Sequence, residues 1–391
     1  MATGQMARSP VARASAYLAG GLAIALHLGH RVSAYFDWFT ANTIPPALGT
    51  VGAKSALMMP PAFSVKPGQT LDGRFLLHEE LGHGGMSTIF KASDLQNAGE
   101  TVVVKVRLPA FSSGVGAWSM FEREEAIGRQ LDHPFVLKFL PLAQDRRRSY
   151  LVTEFVPGRT LADRLSDQCS LPECEALSIA SQICTALGYI HNRGFVHYDL
   201  NPANVMLCPD GSIRLIDFGL AHAAETARFS LSGAPPAIGS SDYLAPEQIK
   251  RKRGRRSADI YGVGAMLYQM LTGRPPFPGD DPFTVASARL LGDPPAPRSL
   301  NPKISSQAEE IVLRALRRDA SERYSTAEAM KTDLDHPDQA AATGLCDRLR
   351  PVTSWRRSLR VARSIAMTFI LPVASQVVLF LLLWHHFARR P

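Results

Sequence analysis

The run His197-Tyr198-Asp199-Leu200-Asn201-Pro202-Ala203-Asn204, followed by Asp217-Phe218-Gly219, decides how this chain is read. Toward the C-terminus Ala245-Pro246-Glu247 comes next. Toward the N-terminus, Leu81-Gly82-His83-Gly84-Gly85-Met86-Ser87-Thr88-Ile89-Phe90 lies between two strand-like segments. Glycines there let backbone N–H groups approach phosphate oxygens with no Cβ in the way, although a plain hairpin turn accounts for the same residues. Lys105 ends a Val-Val-Val-Lys strand, placed to reach phosphate oxygens, and Phe121-Glu122-Arg123-Glu124 opens a helix whose carboxylate can orient that lysine. Short β-branched runs alternate with turns over 71–110. Farther on, Ala176, Ile179, Ala180, Ile183, Leu187 and Ile190 recur at mostly helical spacing, and Ile260 to Leu271 is a second apolar helical stretch. A small strand-rich lobe followed by a larger helical one is the expected architecture.

Each motif is weak alone. In this order and spacing, with Gly239-Ser240-Ser241-Asp242-Tyr243, Asp259-Ile260-Tyr261 and Arg323 in a Glu-Arg-Tyr run, they are specific. Over residues 70–336 the chain resembles a eukaryotic-like (Hanks-type) bacterial serine/threonine protein kinase. The resemblance implies an α+β, two-lobed protein-kinase-like fold, with a small antiparallel β-sheet lobe bearing one helix and a large, mainly helical lobe. It also implies ATP with Mg²⁺, Mn²⁺ being the alternative, and protein substrates that offer Ser/Thr hydroxyls. Phosphoryl transfer needs mainly positioning and neutralisation of spread negative charge. By resemblance, Leu81, Gly82, His83, Gly84, Gly85, Met86, Ser87 and Ile89 cover the nucleotide. Lys105 holds the α and β phosphates and is oriented by Glu124, with Glu125 as the structural alternative. Asp217 and Asn204 are the hard oxygen ligands of the metal, and Asp199 accepts the substrate hydroxyl's proton. The hinge Glu154-Phe155-Val156 meets adenine through its backbone, with Thr153 at the gatekeeper place. Arg323 pairs with Glu247.

Three residues depart from the family's pattern. Ser87 stands for the third glycine of the loop. Tyr198 stands where an Arg normally receives an activation-loop phosphate, so Thr226, Ser230 or Ser232, if phosphorylated, lose that receiver. Asn201 replaces a Lys that contacts the transferring phosphate. It can donate a hydrogen bond but brings no positive charge, a loss of about 10²–10³ in rate by analogy with deleting one transition-state donor. Two alternatives therefore stand beside a working protein kinase: a weak or inactive pseudokinase scaffold, and a kinase-like phosphotransferase for a small molecule. The long segment from Asp217 to Glu247 favours a protein substrate.

The ends carry a different signal. Residues 364–384 (SIAMTFILPVASQVVLFLLLW) contain no formal charge and suit one C-terminal transmembrane helix. Arg348, Arg350, Arg356, Arg357, Arg360 and Arg363 precede it, and only Arg389 and Arg390 follow, which places the kinase domain in the cytoplasm at the inner (plasma) membrane. The expected map is an N-terminal extension over 1–65, the kinase domain over 70–336, a basic juxtamembrane linker over 337–363, the membrane helix over 364–384 and a tail over 385–391. Ala16 to Gly29 looks like a signal-peptide core but is too short to span.

Composition bounds the rest. At 46% hydrophobic and 20% charged the chain is globular rather than disordered. Its five cysteines fit neither a disulfide framework nor zinc spacing, so they are expected to be reduced, buried and inert. The net charge of +8 is local: residues 251–256, the stretch before the apolar run and the extreme C-terminus hold thirteen basic residues, leaving 30 basic against 35 acidic elsewhere. That pattern fits an anionic membrane surface as partner. Nucleic acid is disfavoured, because no recognition module accompanies the basic patch.

Overall fold

The computed structural model describes residues 65–83, 87–107, 115–142, 150–168, 170–218, 222–223, 240–250, 255–279 and 281–350. The β-branched runs form an antiparallel sheet in chain order: β1 (Thr70–Leu71), β2 (Phe75–His83), β3 (Ser87–Asp94), β4 (Glu100–Arg107) and β5 (Tyr150–Glu154). Alternation along β4 buries Val102, Val104 and Val106 on one face and turns Lys105 to the other. The valines join Leu71, Phe75, Leu77, Phe90, Tyr150 and Val152 in the core of the small lobe. Lys105 is paired with Ile89 on one side and Leu151 on the other, so the middle of the sheet fixes its position. Helix α1 (Val115–Gly128) completes this lobe.

The large lobe holds β6 (Arg159–Thr160), α2 (Leu161–Asp167), α3 (Glu173–Asn192), β7 (Phe195–Val196), β8 (Val205–Leu207), β9 (Ile213–Leu215) and β10 (His222–Ala223). Then come α4 (Pro246–Ile249), α5 (Arg256–Thr272), α6 (Pro282–Leu291), α7 (Pro297–Leu300), α8 (Ser306–Ala315) and α9 (Ala327–Asp335). A reciprocal cap starts α2: Thr160 Oγ1 accepts from the Asp163 N–H at 3.0 Å, and the Asp163 carboxylate accepts from the Thr160 N–H at 3.1 Å. The apolar stripe of α3 (Ile183, Leu187, Ile190) and that of α5 (Ile260, Val263, Leu267) bury into one core with Ile311 and Val312 of α8. A Cβ on Gly264 would lie 2.6 Å from that of Ala315, so this glycine is what lets α5 and α8 approach so closely.

One expectation is corrected. Among the described residues, no helix is long and apolar enough to cross a membrane. Helix α5, buried along most of its length, has 17 residues and packs into the lobe core, while the 20-residue α3 carries Glu173 and Glu175 in its first turn. Residues 364–384, on which the expectation rests, lie outside the described residues, as do 1–64, Gly84, Gly85, Met86, Cys169, Thr226, Ser230, Ser232 and the basic stretch 251–254. The cysteines differ in part from expectation: Cys184 is buried, but Cys174 and Cys346 are exposed, and all four described cysteines are free thiols.

Past α9 the chain runs back over the large lobe instead of leaving it. The Glu310 carboxylate accepts from the backbone N–H of Thr343 (3.1 Å) and Leu345 (3.3 Å). Asp293 and Arg350 exchange two hydrogen bonds: the Asp293 N–H donates to the Arg350 carbonyl at 3.2 Å, and the Arg350 N–H to the Asp293 carboxylate at 2.9 Å. Residues 337–350 of the segment read as a linker are thus docked.

Candidate active site

The site begins with the lysine that β4 holds in place. Lys105 Nζ donates to both carboxylate oxygens of Glu124, at 2.8 and 2.9 Å, and lies 3.6 Å from Asp217 Oδ1. Burial by itself would lower the lysine's pKa; the two carboxylates outweigh it, and the pKa is raised. The same burial pushes the Glu124 carboxyl up to about 7, with Asp217 adding to the rise and Lys105 opposing it. The pair is formed by Glu124, and Glu125 instead bridges to Arg129 at 2.7 Å on its own helix.

The catalytic loop follows β7. Asp199 is half-buried, and desolvation first, then the charge of Asp217, raises its pKa. Asn204 Nδ2 donates to the Asp199 carbonyl (2.8 Å) and carboxylate (3.2 Å), and Asn201 Nδ2 reaches the same two groups at 3.2 and 3.3 Å. Asn201 Oδ1 meanwhile accepts from the Ala203 N–H at 2.9 Å and caps the 3-10 turn Pro202–Asn204. Two non-glycine residues here sit in the left-handed region, Tyr198 and Asp217, each with φ 65°. Such backbone persists only where the surroundings fix it. For Tyr198 the surroundings are plain: its N–H donates to Asp259 Oδ1 at 2.8 Å, and its carbonyl accepts from Gln248 Nε2 at 2.9 Å. Asp259 Oδ2 also accepts the His197 N–H at 2.9 Å and pairs with the His191 ring at 2.8 Å. The Tyr198 side chain, at the position where the resemblance leads one to expect an arginine, is buried.

The glycine-rich loop between β2 and β3 is described at its two roots. Gly82 pairs with Ile89 and His83 with Thr88 across β2 and β3; Leu81 is exposed and Ser87 buried. At the hinge, Lys138 and Glu154 exchange hydrogen bonds at 3.0 Å, which fixes the start of the Glu154–Val156 segment, and Thr153 beside it is buried. A cavity of about 310 Å³ touches Glu154, Phe155 and Val156, and another of about 690 Å³ is lined by Arg159, Arg164, Gln182 and Cys208; neither is lined by Lys105, Asp199 or Asp217.

The donor set fits a divalent metal with a polyphosphate. Lys105 serves two carboxylates, Glu124 and Asp217, and Asp199 feels the charge of Asp217 as well, so the site carries surplus negative charge that a divalent cation relieves. The amide nitrogen of Asn204 is committed to Asp199, which leaves its amide oxygen and the Asp217 carboxylate as hard oxygen donors, the kind a divalent magnesium-like ion takes.

Sequence reasoning gives no role to Asp259, Gln248 or His191, which hold the catalytic loop. Asp259 does appear in the Asp259-Ile260-Tyr261 run, but nothing in the sequence says that it holds the backbone before Asp199.

A braced lysine–glutamate pair beside two aspartates, set between a small sheet lobe and a helical lobe, defines the protein-kinase class. The chain belongs to that family: the protein kinase domain model matches residues 75–334. It is 36% identical over 270 residues to a probable serine/threonine-protein kinase of Streptomyces coelicolor, covering 68% of this chain and 40% of the relative. Identity to the serine/threonine-protein kinase PknB of Mycobacterium tuberculosis is 32% over 268 residues, covering 68% of this chain and 43% of the relative. The match to the probable kinase PknB of Lactococcus lactis is 31% over 270 residues, 69% and 43% of the two chains. The chain thus spans about two fifths of the length of these relatives. Membership implies use of ATP and a divalent metal.

Proposed function

We propose that the chain is an ATP-dependent protein kinase that transfers the γ-phosphate of ATP to Ser/Thr hydroxyls of proteins, with Mg²⁺ as its metal. The observation that carries this reading is the Lys105–Glu124–Asp217 cluster beside Asp199, whose carboxylate two asparagines orient. Lys105 holds the α and β phosphates. Asn204 and Asp217 would hold Mg²⁺, which supplies neutralisation of the charge on the β and γ phosphates. The Ser/Thr oxygen bonds to the γ phosphorus as the bond to the β-phosphate oxygen breaks, and the hydroxyl proton passes to Asp199. A base with a raised pKa accepts that proton more readily than an ordinary aspartate.

The test is label transfer from [γ-³²P]ATP with Mg²⁺ to the chain itself or to casein. The expected result is transfer that Asp199→Asn and Lys105→Met reduce by about 10² or more. Wild-type transfer no higher than the Asp199→Asn control would overturn the protein-kinase reading and leave the scaffold and the small-molecule readings.

The reading also places the domain in the cytoplasm, at the anionic inner face of the membrane, on the support of the arginines between 348 and 363. Each basic residue near such a surface contributes about 1 kcal/mol. Cell fractionation with those arginines replaced by glutamine would show less membrane-associated protein; unchanged fractions would remove the membrane-surface part.

A further inference from the structure

Arg289 lies on the inward side of α6 and is 1% exposed. Its guanidinium Nη1 donates to the Leu244 carbonyl at 2.8 Å and Nη2 to the Asp242 carbonyl at 2.7 Å. The same group sits 5.8 Å above the centre of the Phe277 ring. One planar fork therefore fixes two carbonyls on either side of Tyr243, whose hydroxyl is itself anchored on Gln269 of α5. The next residue, Ala245, donates its N–H to Gln248 Oε1 at 2.9 Å, and Gln248 Nε2 donates to the Tyr198 carbonyl at 2.9 Å. Tyr198 directly precedes Asp199. Residues 242–245 thus lie one side chain away from the peptide that presents Asp199, while α6 holds them from the other side.

We infer that Arg289 is a positioning residue for the protein substrate: it sets the backbone of residues 242–245, whose partly exposed Asp242 and Leu244 lie near the Asp199 loop and support a polypeptide that brings its hydroxyl to Asp199. This rests on the phosphotransfer reading above. A hydroxyl delivered on an extended chain needs its flanking residues supported beside the acceptor, and an ångström of displacement there is costly. Arginine suits the task because its rigid fork holds the spacing of two acceptors. A lysine in its place offers one flexible ammonium and cannot fix both. The lysine–glutamate pair of the nucleotide side is built separately, from β4 and α1. Loss of the fork should accordingly raise the KM for protein and spare the handling of ATP.

The experiment uses the full chain, as wild type, Arg289→Lys and Arg289→Gln, with casein as the protein probe. Three quantities are read: KM for casein, KM for ATP, and the slow hydrolysis of ATP to water with no protein present. The expected result is a rise of about tenfold or more in casein KM in both variants, with ATP KM and hydrolysis within about twofold of wild type. Casein KM within about twofold of wild type, in a wild type that does phosphorylate casein, overturns the role of Arg289 and leaves the kinase reading standing. Hydrolysis lost together with transfer means that the residue is only structural, and this too overturns the role. Where Arg289→Gln shows no cooperative melting, Arg289→Lys decides, and failure of both to fold counts as the structural outcome. Wild type without transfer above Asp199→Asn overturns the kinase reading itself, and this inference with it.

Discussion

Asn201 stands where the family's pattern leads one to expect a lysine, and its amide does two things at once. It caps the turn that carries Asn204, and it donates to the carboxylate of Asp199. Replacing it by Ala should therefore act twice: a lost cap costs about 1 kcal/mol of stability, and an Asp199 without one of its two amide donors lowers kcat by about 10–100-fold with little change in the KM for ATP. Asn201→Asp separates the two effects, because it keeps the capping oxygen but sets a like charge against Asp199. Steady-state kinetics and urea midpoints on both variants check this; equal kcat in Asn201→Asp and wild type would show that the donated hydrogen bond does nothing. Glu124 gives a pH prediction with a definite sign. Its carboxyl titrates near 4.5 in the unfolded chain and at about 7 in the folded one, burial being the main cause. Between those values the folded form holds the extra proton, so this group's contribution to stability falls as pH rises through the window and is level above it. Denaturation midpoints followed over that range should lose this downward component in Glu124→Gln. Little of this can be read in the sequence. Asn201 shows there as a missing lysine, and only the fold shows what the amide touches.

Helix α1 presents Glu124 to Lys105, and one turn later, on the same face, it presents Gly128. A Cβ at Gly128 would fall 2.3 Å from the ring of Phe139, so the helix rests on that ring with bare backbone. Phe139 meets Phe218 edge-on with ring centres 6.5 Å apart, and Phe218 meets His197 at 5.1 Å. The stack joins the element bearing Glu124 to the two segments bearing Asp217 and Asp199. Gly128→Leu should push α1 outward, open the Lys105–Glu124 pair and lower kcat/KM by about 10²-fold, the size of a mispositioned catalytic contact. Phe139→Ala in the same chain gives the leucine room and should restore part of the loss. A double-mutant cycle on kcat/KM decides it, since strictly additive losses would mean that the two side chains do not share this space. At the level of elements the sequence is half legible. β4 and α3 announce themselves through alternation and helical spacing, because each buries a continuous face of its own. Gly128 in a helix reads only as a poor helix former, because the ring that needs its bareness comes from another element.

Across the whole molecule, the legible part is what chemistry forces into a fixed order along the chain. Lys105 and Glu124, 19 positions apart, and Glu247 and Arg323, 76 apart, can be paired from sequence because each sits in a motif whose neighbours are also present. Gln248 and Arg289 belong to no such run, and the partners given for them above are main-chain atoms, which carry no residue type to match. The same limit hides the docking of residues 337–350, whose contacts to Glu310 and Asp293 are largely made by backbone N–H groups. The Arg323–Glu247 pair then yields a prediction for the stability of the large lobe. Arg323 gives Nη1 to Glu247 Oε1 and to the Ser257 carbonyl, each at 2.7 Å. It gives Nη2 to Glu247 Oε2 at 2.8 Å and Nε to the Arg317 carbonyl at 2.7 Å. Its guanidinium also lies 4.9 Å above the Tyr261 ring. The arginine side chain is fully buried and the Glu247 side chain 14% exposed, so removing one partner strands the other away from water. Arg323→Ala should cost about 3–5 kcal/mol, a large share of the roughly 5–15 kcal/mol that holds a domain folded. Arg323→Lys should recover only part, because one ammonium cannot serve a carboxylate and two carbonyls in different directions. Glu247→Gln, which keeps shape and loses charge, should fall between wild type and Arg323→Ala. Urea midpoints order the four proteins, and an Arg323→Ala midpoint equal to that of wild type would show that the bridge does not hold the lobe.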